Sequence, residues 1–219
     1  MSPQKKYSGK TKLTAPGRPR SGPAQQVRII GGQWKRTPLP VPDAAGLRPT
    51  PDRVRETVFN WLHFLLDGGW SQLACLDLFA GTGALGFEAA SRGAASVLMV
   101  EEHTPAVLQL QATKDKLHAA QVSILRGDAF SVAHKLPGSA PDSARQRFDL
   151  IFLDPPYQQG WLARILPLCA SLLSENGIIY VESESALAHD DPPEWLEPWQ
   201  VLRYGNAGVV FYHLLQRKS

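Results

Sequence analysis

From residue 74 onward, short apolar runs rich in β-branched residues alternate with stretches whose apolar positions recur at helical spacing. Runs 74–79, 96–101, 122–126, 148–153 and 177–182 read as strands. Stretches near 84–92, 105–118, 129–136 and 160–173 read as helices, the second with Thr104 as cap and Pro105 at its first position. Apolar strands separated by helices predict an α/β fold with a parallel sheet covered on both faces. The end of the chain differs: Gln200–Tyr204 and Val209–Leu215 flank Gly205-Asn-Ala-Gly208, the pattern of a hairpin, so an antiparallel strand should close the sheet. Upstream, Val27–Ile30 and Leu39–Val41 read as two short strands. Val54, Val58, Leu62 and Leu65 then mark the inward face of a helix that Thr50 should cap, with Pro51 at its first position. Residues 137–147 read as a polar loop. Residues 1–24, rich in Lys, Gly, Pro and Ser, read as a disordered tail. The expected organisation is thus a basic tail (1–24), a hairpin and helix (25–66) and a main domain (67–219).

Composition narrows the class. A chain of 219 residues with 43% hydrophobic content supports one medium globular domain with room for a small appendage. No apolar run nears the roughly 18 residues needed to span a bilayer, and the N-terminus lacks the apolar segment of a secretory signal. Cys75 and Cys169 sit in apolar stretches and read as core thiols in a reducing compartment. No Cys/His cluster has zinc spacing, so no metal is expected, and the expected location is the cytoplasm. Charge is unevenly placed: residues 1–42 carry nine Lys/Arg and no acid, although the whole chain is only +3. A basic arm on a mildly acidic body suggests a polyanionic partner, against the plain alternative of a solvated tail.

Two motifs carry chemistry. Gly81-x-Gly83-x-x-Gly86 follows a predicted strand and opens a helix, with Glu101 twenty residues on at the end of the next strand. Such glycines permit a tight turn and close approach to a nucleoside cofactor, and the acid can accept from ribose hydroxyls. The pattern alone does not separate a nicotinamide from S-adenosylmethionine. Asp77 favours the latter, because a carboxylate just before the loop repels a diphosphate but suits a sulfonium and an amino group. Asp128, after the third strand, can accept from an adenine amino group, cap the following helix, or both. The second motif, Asp154-Pro-Pro-Tyr157, ends the fourth strand. Two prolines remove two backbone donors and leave carbonyls and the Asp154 carboxylate to accept N–H groups, while Tyr157 can stack on a base. That suits an aromatic amine aligned for in-line methyl transfer, with Asp154 as proton acceptor. Arg48, Arg53 and Arg55 lie near a helix start and read either as surface solubility or as phosphate contacts. The histidines show no nucleophile or metal pattern; His103, His134, His189 and His213 read as surface or edge residues.

Arg28-Ile-Ile-Gly-Gly-Gln-Trp-Lys-Arg36, Gly46-Leu-Arg-Pro-Thr50, Asp52-Arg-Val-Arg-Glu-Thr-Val-Phe-Asn-Trp-Leu62, the glycine loop, Asp154-Pro-Pro-Tyr157 and Tyr180-Val-Glu-Ser-Glu184 resemble the bacterial RsmD family of 16S rRNA guanine-N2 methyltransferases. The resemblance covers about residues 27–216. It implies a class I, Rossmann-like methyltransferase fold with a mostly parallel seven-stranded sheet, S-adenosyl-L-methionine as donor, and an exocyclic N2 in 16S rRNA of the small ribosomal subunit as acceptor. Carried over, Asp77, Phe79, Gly81 and Gly83 would hold the methionine end, Glu101 the ribose, and Asp128 with Ala129 the adenine. Asp154, Pro155, Pro156 and Tyr157 would hold the target guanine, and Arg48, Arg53 and Arg55 would position RNA. His103 departs from the family, where an Asp or Asn is common, and so does the long basic tail. The expected state is a monomer. The rival readings are an adenine-N6 methyltransferase, a non-catalytic ribosome-assembly factor and a nicotinamide oxidoreductase.

Overall fold

The computed structural model describes residues 27–41, 50–136, 147–156, 160–187 and 192–218. Its centre is a seven-stranded sheet in the order β5-β4-β3-β6-β7-β9-β8. Strands β3 (Ala74–Asp77), β4 (Ser96–Glu101), β5 (Val122–Arg126), β6 (Phe148–Leu153) and β7 (Leu173–Ser183) run parallel. The hairpin β8 (Trp199–Ala207) and β9 (Val210–Arg217) is antiparallel, with β9 against β7. Both hairpin strands run further than the sequence pattern suggests, because Ala207 pairs with Val210 and leaves only Gly208 and Val209 in the turn. Gly208 has φ +67°, which suits glycine in a two-residue turn.

Strand alternation splits the core in two. Cys75, Val97, Met99, Leu150, Phe152, Ile178 and Tyr180 face one side, with Val54, Val58, Phe59 and Leu62 of α1 (Asp52–Leu65), Phe87 of α2 (Ala84–Ser91) and Leu110 of α3 (Thr104–Leu117). Leu76, Val100, Ile151, Leu153, Ile179 and Val181 face the other, with α4 (Ala129–Lys135) and α5 (Trp161–Leu172). Each run is apolar at successive positions because both of its faces are covered. Among the described residues, no helix is long and apolar enough to cross a membrane.

The N-terminal strands β1 (Val27–Arg28) and β2 (Pro38–Leu39) form a small separate ribbon. They are shorter than expected because the intervening backbone bonds elsewhere. Buried Glu88 of α2 accepts from the N–H groups of Ile30 (2.6 Å) and Gly31 (2.8 Å) and from Arg92 (2.8 Å). Ser91 Oγ accepts from Trp34 N and donates to Gly31 O. Gly32, at φ +72°, lies so close that a Cβ there would stand 1.9 Å from the Ser91 carbonyl.

Three local expectations are corrected. Thr50 does not cap α1: Pro51 occupies the cap position with no side-chain bond, and the Thr50 hydroxyl turns to the sheet instead. Thr104 is the first residue of α3 rather than its cap; His103 takes that place. His213 is not an edge residue but fully buried, since β8 covers β9, and its Nε2 accepts from Leu187 N at 2.9 Å. The expected loop at 137–147 and tail at 1–24 lie outside the described residues, apart from Arg147.

Candidate active site

The chain leaves β5 and crosses to the other side of β3 to form β6. Ligands of open α/β sheets bind at such a switch, beyond the C-terminal ends of the strands. Here, among the described residues, β3, β4, β6 and β7 each bring one carboxylate to that rim. Cys75, Met99, Phe152 and Tyr180 face the α1–α3 side of the core. Two residues beyond each comes Asp77, Glu101, Asp154 and Glu182, on the same face by the period of a strand. Three of these acids were expected at the site. Glu182 was part of a recognised motif but had no role; the alternation in Tyr180-Val181-Glu182 is the signal that finds it.

The glycine loop cradles the first two. Gly81 and Gly83 both have positive φ, and Gly83 precedes α2. A Cβ on Gly86 would stand 2.5 Å from Met99, so helix and strand pack closer than a side chain allows. Asp77 Oδ2 accepts from Gly86 N at 3.1 Å. Among the described residues its buried Oδ1 has no hydrogen-bond partner, and Asp77 is 1% exposed. Burial pushes its carboxyl up to about 7, opposed by the N–H groups of Gly86 and Phe79 and reinforced by Glu101. Glu101 accepts from Gly81 N and His103 N, each at 2.8 Å, which fixes its carboxylate against the loop. A buried carboxylate oxygen without a partner is a place for a cation, and the set fits a nucleoside with a positively charged amino-acid end.

Asp128 caps α4, its Oδ1 accepting from Ser131 N at 2.8 Å, and hydrogen bonds from Ser131 hold its carboxyl below the usual range. Beside it, two aromatics that sequence reasoning passed over, Trp161 and Phe130, join the expected Phe79. Trp161 packs against Phe79 (centroids 5.7 Å) and Phe130 (5.0 Å), and Arg164 lies over Phe130 at 4.5 Å. Among the described residues, buried Trp161 Nε1 has no hydrogen-bond partner. Trp161 thus bridges the residues after β3 and after β5, and Ala129 is buried alongside Phe130 at the start of α4. Aromatics just after Asp128 and at the head of α5 were the available signal.

On the other side of the switch, Thr50 Oγ1 donates to Glu182 Oε1 at 2.5 Å and lies 3.4 Å from Asp154 Oδ2. The Tyr180 hydroxyl donates to the same Glu182 oxygen at 2.8 Å. Burial, then the charges of Glu182 and Asp77, raise the Asp154 carboxyl well above its ordinary range, against the Thr50 hydroxyl. Pro155 is buried and Pro156 exposed; Tyr157 lies outside the described residues.

The three arginines part company. Arg55 is fully buried, so its reading as a surface or phosphate-binding cation is corrected. Its Nε donates to Thr50 O (3.3 Å) and its guanidinium to Asp52 (2.7 Å), which also pairs with Arg28 at 2.8 Å. Burial lowers its proton affinity, opposed chiefly by Asp52 and Glu88. Arg55 therefore anchors the backbone that presents Thr50. Arg53 is exposed, and Arg48 lies outside the described residues. His103 and His134 are exposed, and His189 is outside the described residues. Cys75 and Cys169 are buried free thiols; burial pushes Cys169 up to about 12 and Cys75 higher. Among the described residues, no group of His, Cys, Asp and Glu has the geometry to hold a metal ion.

The strand order, the glycine loop and the rim acids define the class: this is the fold of the S-adenosylmethionine-dependent methyltransferases. The ribosomal protein L11 methylase of Lactobacillus delbrueckii subsp. bulgaricus shares that fold, with a TM-score of 0.57 at 17% identity over 80% of this chain and 83% of that one. A closer likeness is the solved structure of the yhhF protein of Escherichia coli, with a TM-score of 0.71 at 38% identity over 88% of this chain and 98% of that one. The family model described as conserved hypothetical protein 95 matches residues 27–213. Ribosomal RNA small subunit methyltransferase D of Escherichia coli K12 is 38% identical over 92% of this chain and 96% of its own length. The Haemophilus influenzae protein of that name is 37% identical over 87% and 94%. The chain belongs to the ribosomal RNA small subunit methyltransferase D family.

Proposed function

We propose that this protein transfers a methyl group from S-adenosyl-L-methionine to the exocyclic N2 of one guanine in the 16S rRNA of the small ribosomal subunit. The observation that carries the reading is the pairing of two half-sites across the switch. Asp77 and Glu101 meet the glycine loop on one side, and Asp154 meets Thr50 and Glu182 on the other. S-adenosylmethionine supplies an electrophilic methyl on a cationic sulfonium. Asp77 would meet its positive charge, Glu101 would accept from the ribose, and Asp128, Ala129, Phe130 and Trp161 would enclose the adenine.

The target base leaves its stack to enter, which favours a loop nucleotide. Asp154 and the carbonyls of Pro155 and Pro156 accept the amine hydrogens, with Tyr157 stacking on the ring. Accepting those hydrogens draws the nitrogen toward sp³ and frees its lone pair from the ring. The lone pair displaces the methyl from sulfur in line: the C–N bond forms, and the C–S bond breaks with its pair left on sulfur. Asp154 then takes the proton from nitrogen, a role that its raised proton affinity suits. Arg53, which is exposed, serves the RNA backbone together with Arg48 and the basic residues before position 42.

The test is incubation of purified protein with labelled S-adenosylmethionine and unmodified small or large ribosomal subunits. Label in 16S rRNA alone is the expected result. Cofactor binding with no label in either subunit would contradict the acceptor, and absence of cofactor binding would contradict the enzyme reading.

A further inference from the structure

We infer that Thr50, anchored by buried Arg55, is the positioning residue for Asp154: it holds the Oδ2 edge of that carboxylate so that Oδ1 meets the target amine. The inference rests on the reading of Asp154 as proton acceptor and adds to it the residue that aims the carboxylate.

Asp154 is the first residue past β6, and Leu153 opposite Val181 is the last pair in register between β6 and β7. Pro155 and Pro156 follow and have no N–H to tie the chain down. The sheet therefore fixes where the Asp154 side chain starts, but not how its carboxylate turns about the side-chain torsions. The Thr50 hydroxyl meets that carboxylate: Oγ1 lies 3.4 Å from Asp154 Oδ2 and 2.5 Å from Glu182 Oε1. Thr50 is 5% exposed and stands just before α1, where a threonine can bond an N–H of the first turn. Instead α1 starts on Pro51 with no side-chain cap, and the hydroxyl reaches partners 104 and 132 residues away. A β-branched side chain is stiff, so Thr50 is a firm support. A hydroxyl both donates and accepts, so it serves Asp154 when ionised and when carrying the proton. An acid that changes state in each turnover needs a partner of that kind.

Arg55 holds the other end of Thr50. Its Nε donates to the Thr50 carbonyl at 3.3 Å, and its Nη2 donates to Asp52 Oδ1 at 2.7 Å. Asp52 is steadied in turn by Arg28 on its second oxygen at 2.8 Å. Burying a guanidinium is costly, and among the described residues Arg55 Nη1 has no hydrogen-bond partner. Packing of α1 does not call for that cost, since Val54, Val58, Phe59 and Leu62 already set the helix into the core. What the guanidinium adds is a fixed link between the start of α1 and the Thr50 backbone. Thr50 is thus held at its carbonyl by Arg55 and at its hydroxyl by Glu182, which leaves it little freedom to follow Asp154 if the carboxylate turns. The direction of control runs from Thr50 to Asp154.

The experiment uses the full chain, S-adenosylmethionine and unmodified small ribosomal subunits. Single-turnover methyl transfer at saturation is measured apart from the affinities for cofactor and subunit. Thr50→Val removes the hydroxyl and keeps the shape of the side chain; Thr50→Ser keeps the hydroxyl. The expected result is transfer slowed by about ten- to a hundredfold in Thr50→Val, the scale of a small misplacement of reacting groups, with both affinities unchanged. Thr50→Ser should recover most of the rate. Wild-type transfer by Thr50→Val overturns the inference. So does an equal loss in Thr50→Ser, or a loss confined to affinity, which is what a mere strut between α1 and β7 would give. If Thr50→Val does not fold, Thr50→Ala is measured in the same way: slowed transfer with unchanged affinities supports the inference, and wild-type transfer overturns it. Normal transfer by Asp154→Asn would instead defeat the reading of Asp154 itself.

Discussion

Asp77 is a buried acid with an oxygen left over, and its proton carries a measurable consequence. The folded protein holds that proton up to about pH 7, whereas an ordinary aspartate loses it near 3.8. The native state therefore binds more protons across this interval, and Asp77 makes stability fall as pH rises from about 4 to about 7. A cationic ligand reverses the preference. S-adenosylmethionine binding is expected to release a proton near pH 6.5 and to tighten between pH 6 and 8. Titration calorimetry in buffers of different ionisation enthalpy checks this, and Asp77→Asn should abolish the proton release while weakening binding roughly ten- to a hundredfold. Asp154 gives the companion prediction for turnover. As proton acceptor it works ionised, so the acid limb of kcat should lie above the ordinary carboxylate range. The groups around it are Glu182 on β7, Asp77 on β3 and Thr50 before α1, with Tyr180 and Arg55 behind them. Glu182→Gln removes a negative neighbour and should move that limb to lower pH. Asp154→Asn should abolish turnover with cofactor affinity largely kept; normal turnover would remove Asp154 from the chemistry.

Among the elements, the N-terminal ribbon is the most directly testable. It is held to α2 by Glu88, Ser91 and the close approach of Gly32 rather than by sheet pairing. Gly32→Ala brings a Cβ against the Ser91 carbonyl at a positive φ and should cost about 1–3 kcal/mol in urea unfolding. Glu88→Ala strands Arg92 and two N–H groups and should cost about 3–5 kcal/mol. A loss below 0.5 kcal/mol in either variant would mean the ribbon is not clamped as described. The same region shows where sequence reading stops. The strands and helices from Ala74 to Leu172 follow closely from apolar periodicity, because burial on both faces writes itself into the chain, whereas β7 starts at Leu173, ahead of the run 177–182 that the sequence marks. The roles of Thr50, Arg55 and Glu88 do not. Thr50 before Pro51 has the signature of a cap, and an arginine near a helix start has the signature of a surface cation. Each is redirected by a partner far away in sequence: Glu182 lies 132 residues from Thr50, and Ile30 lies 58 residues from Glu88. Local pattern does not record such contacts.

For the whole molecule, charge and topology divide the work. The sheet gathers the acids at one rim, while nine of 23 Lys/Arg lie before residue 42. Removing residues 1–24 takes away six of those cations and should flatten the dependence of RNA affinity on salt, leaving affinity for S-adenosylmethionine unchanged. An unchanged slope would make the tail a bystander. The sequence reads the glycine loop as a donor site and Asp154-Pro-Pro-Tyr157 as an amine site, but neither motif contains the acceptor's identity. Thr50, Asp154 and Glu182 meet in one corner only once β6, β7 and the segment before α1 come together. The direct measurement is mass spectrometry of the nucleoside formed when this protein methylates unmodified small subunits from labelled S-adenosylmethionine. The account predicts N2-methylguanosine at a single position. N6-methyladenosine in its place would contradict it, leaving the fold and donor site but assigning the corner to a different base.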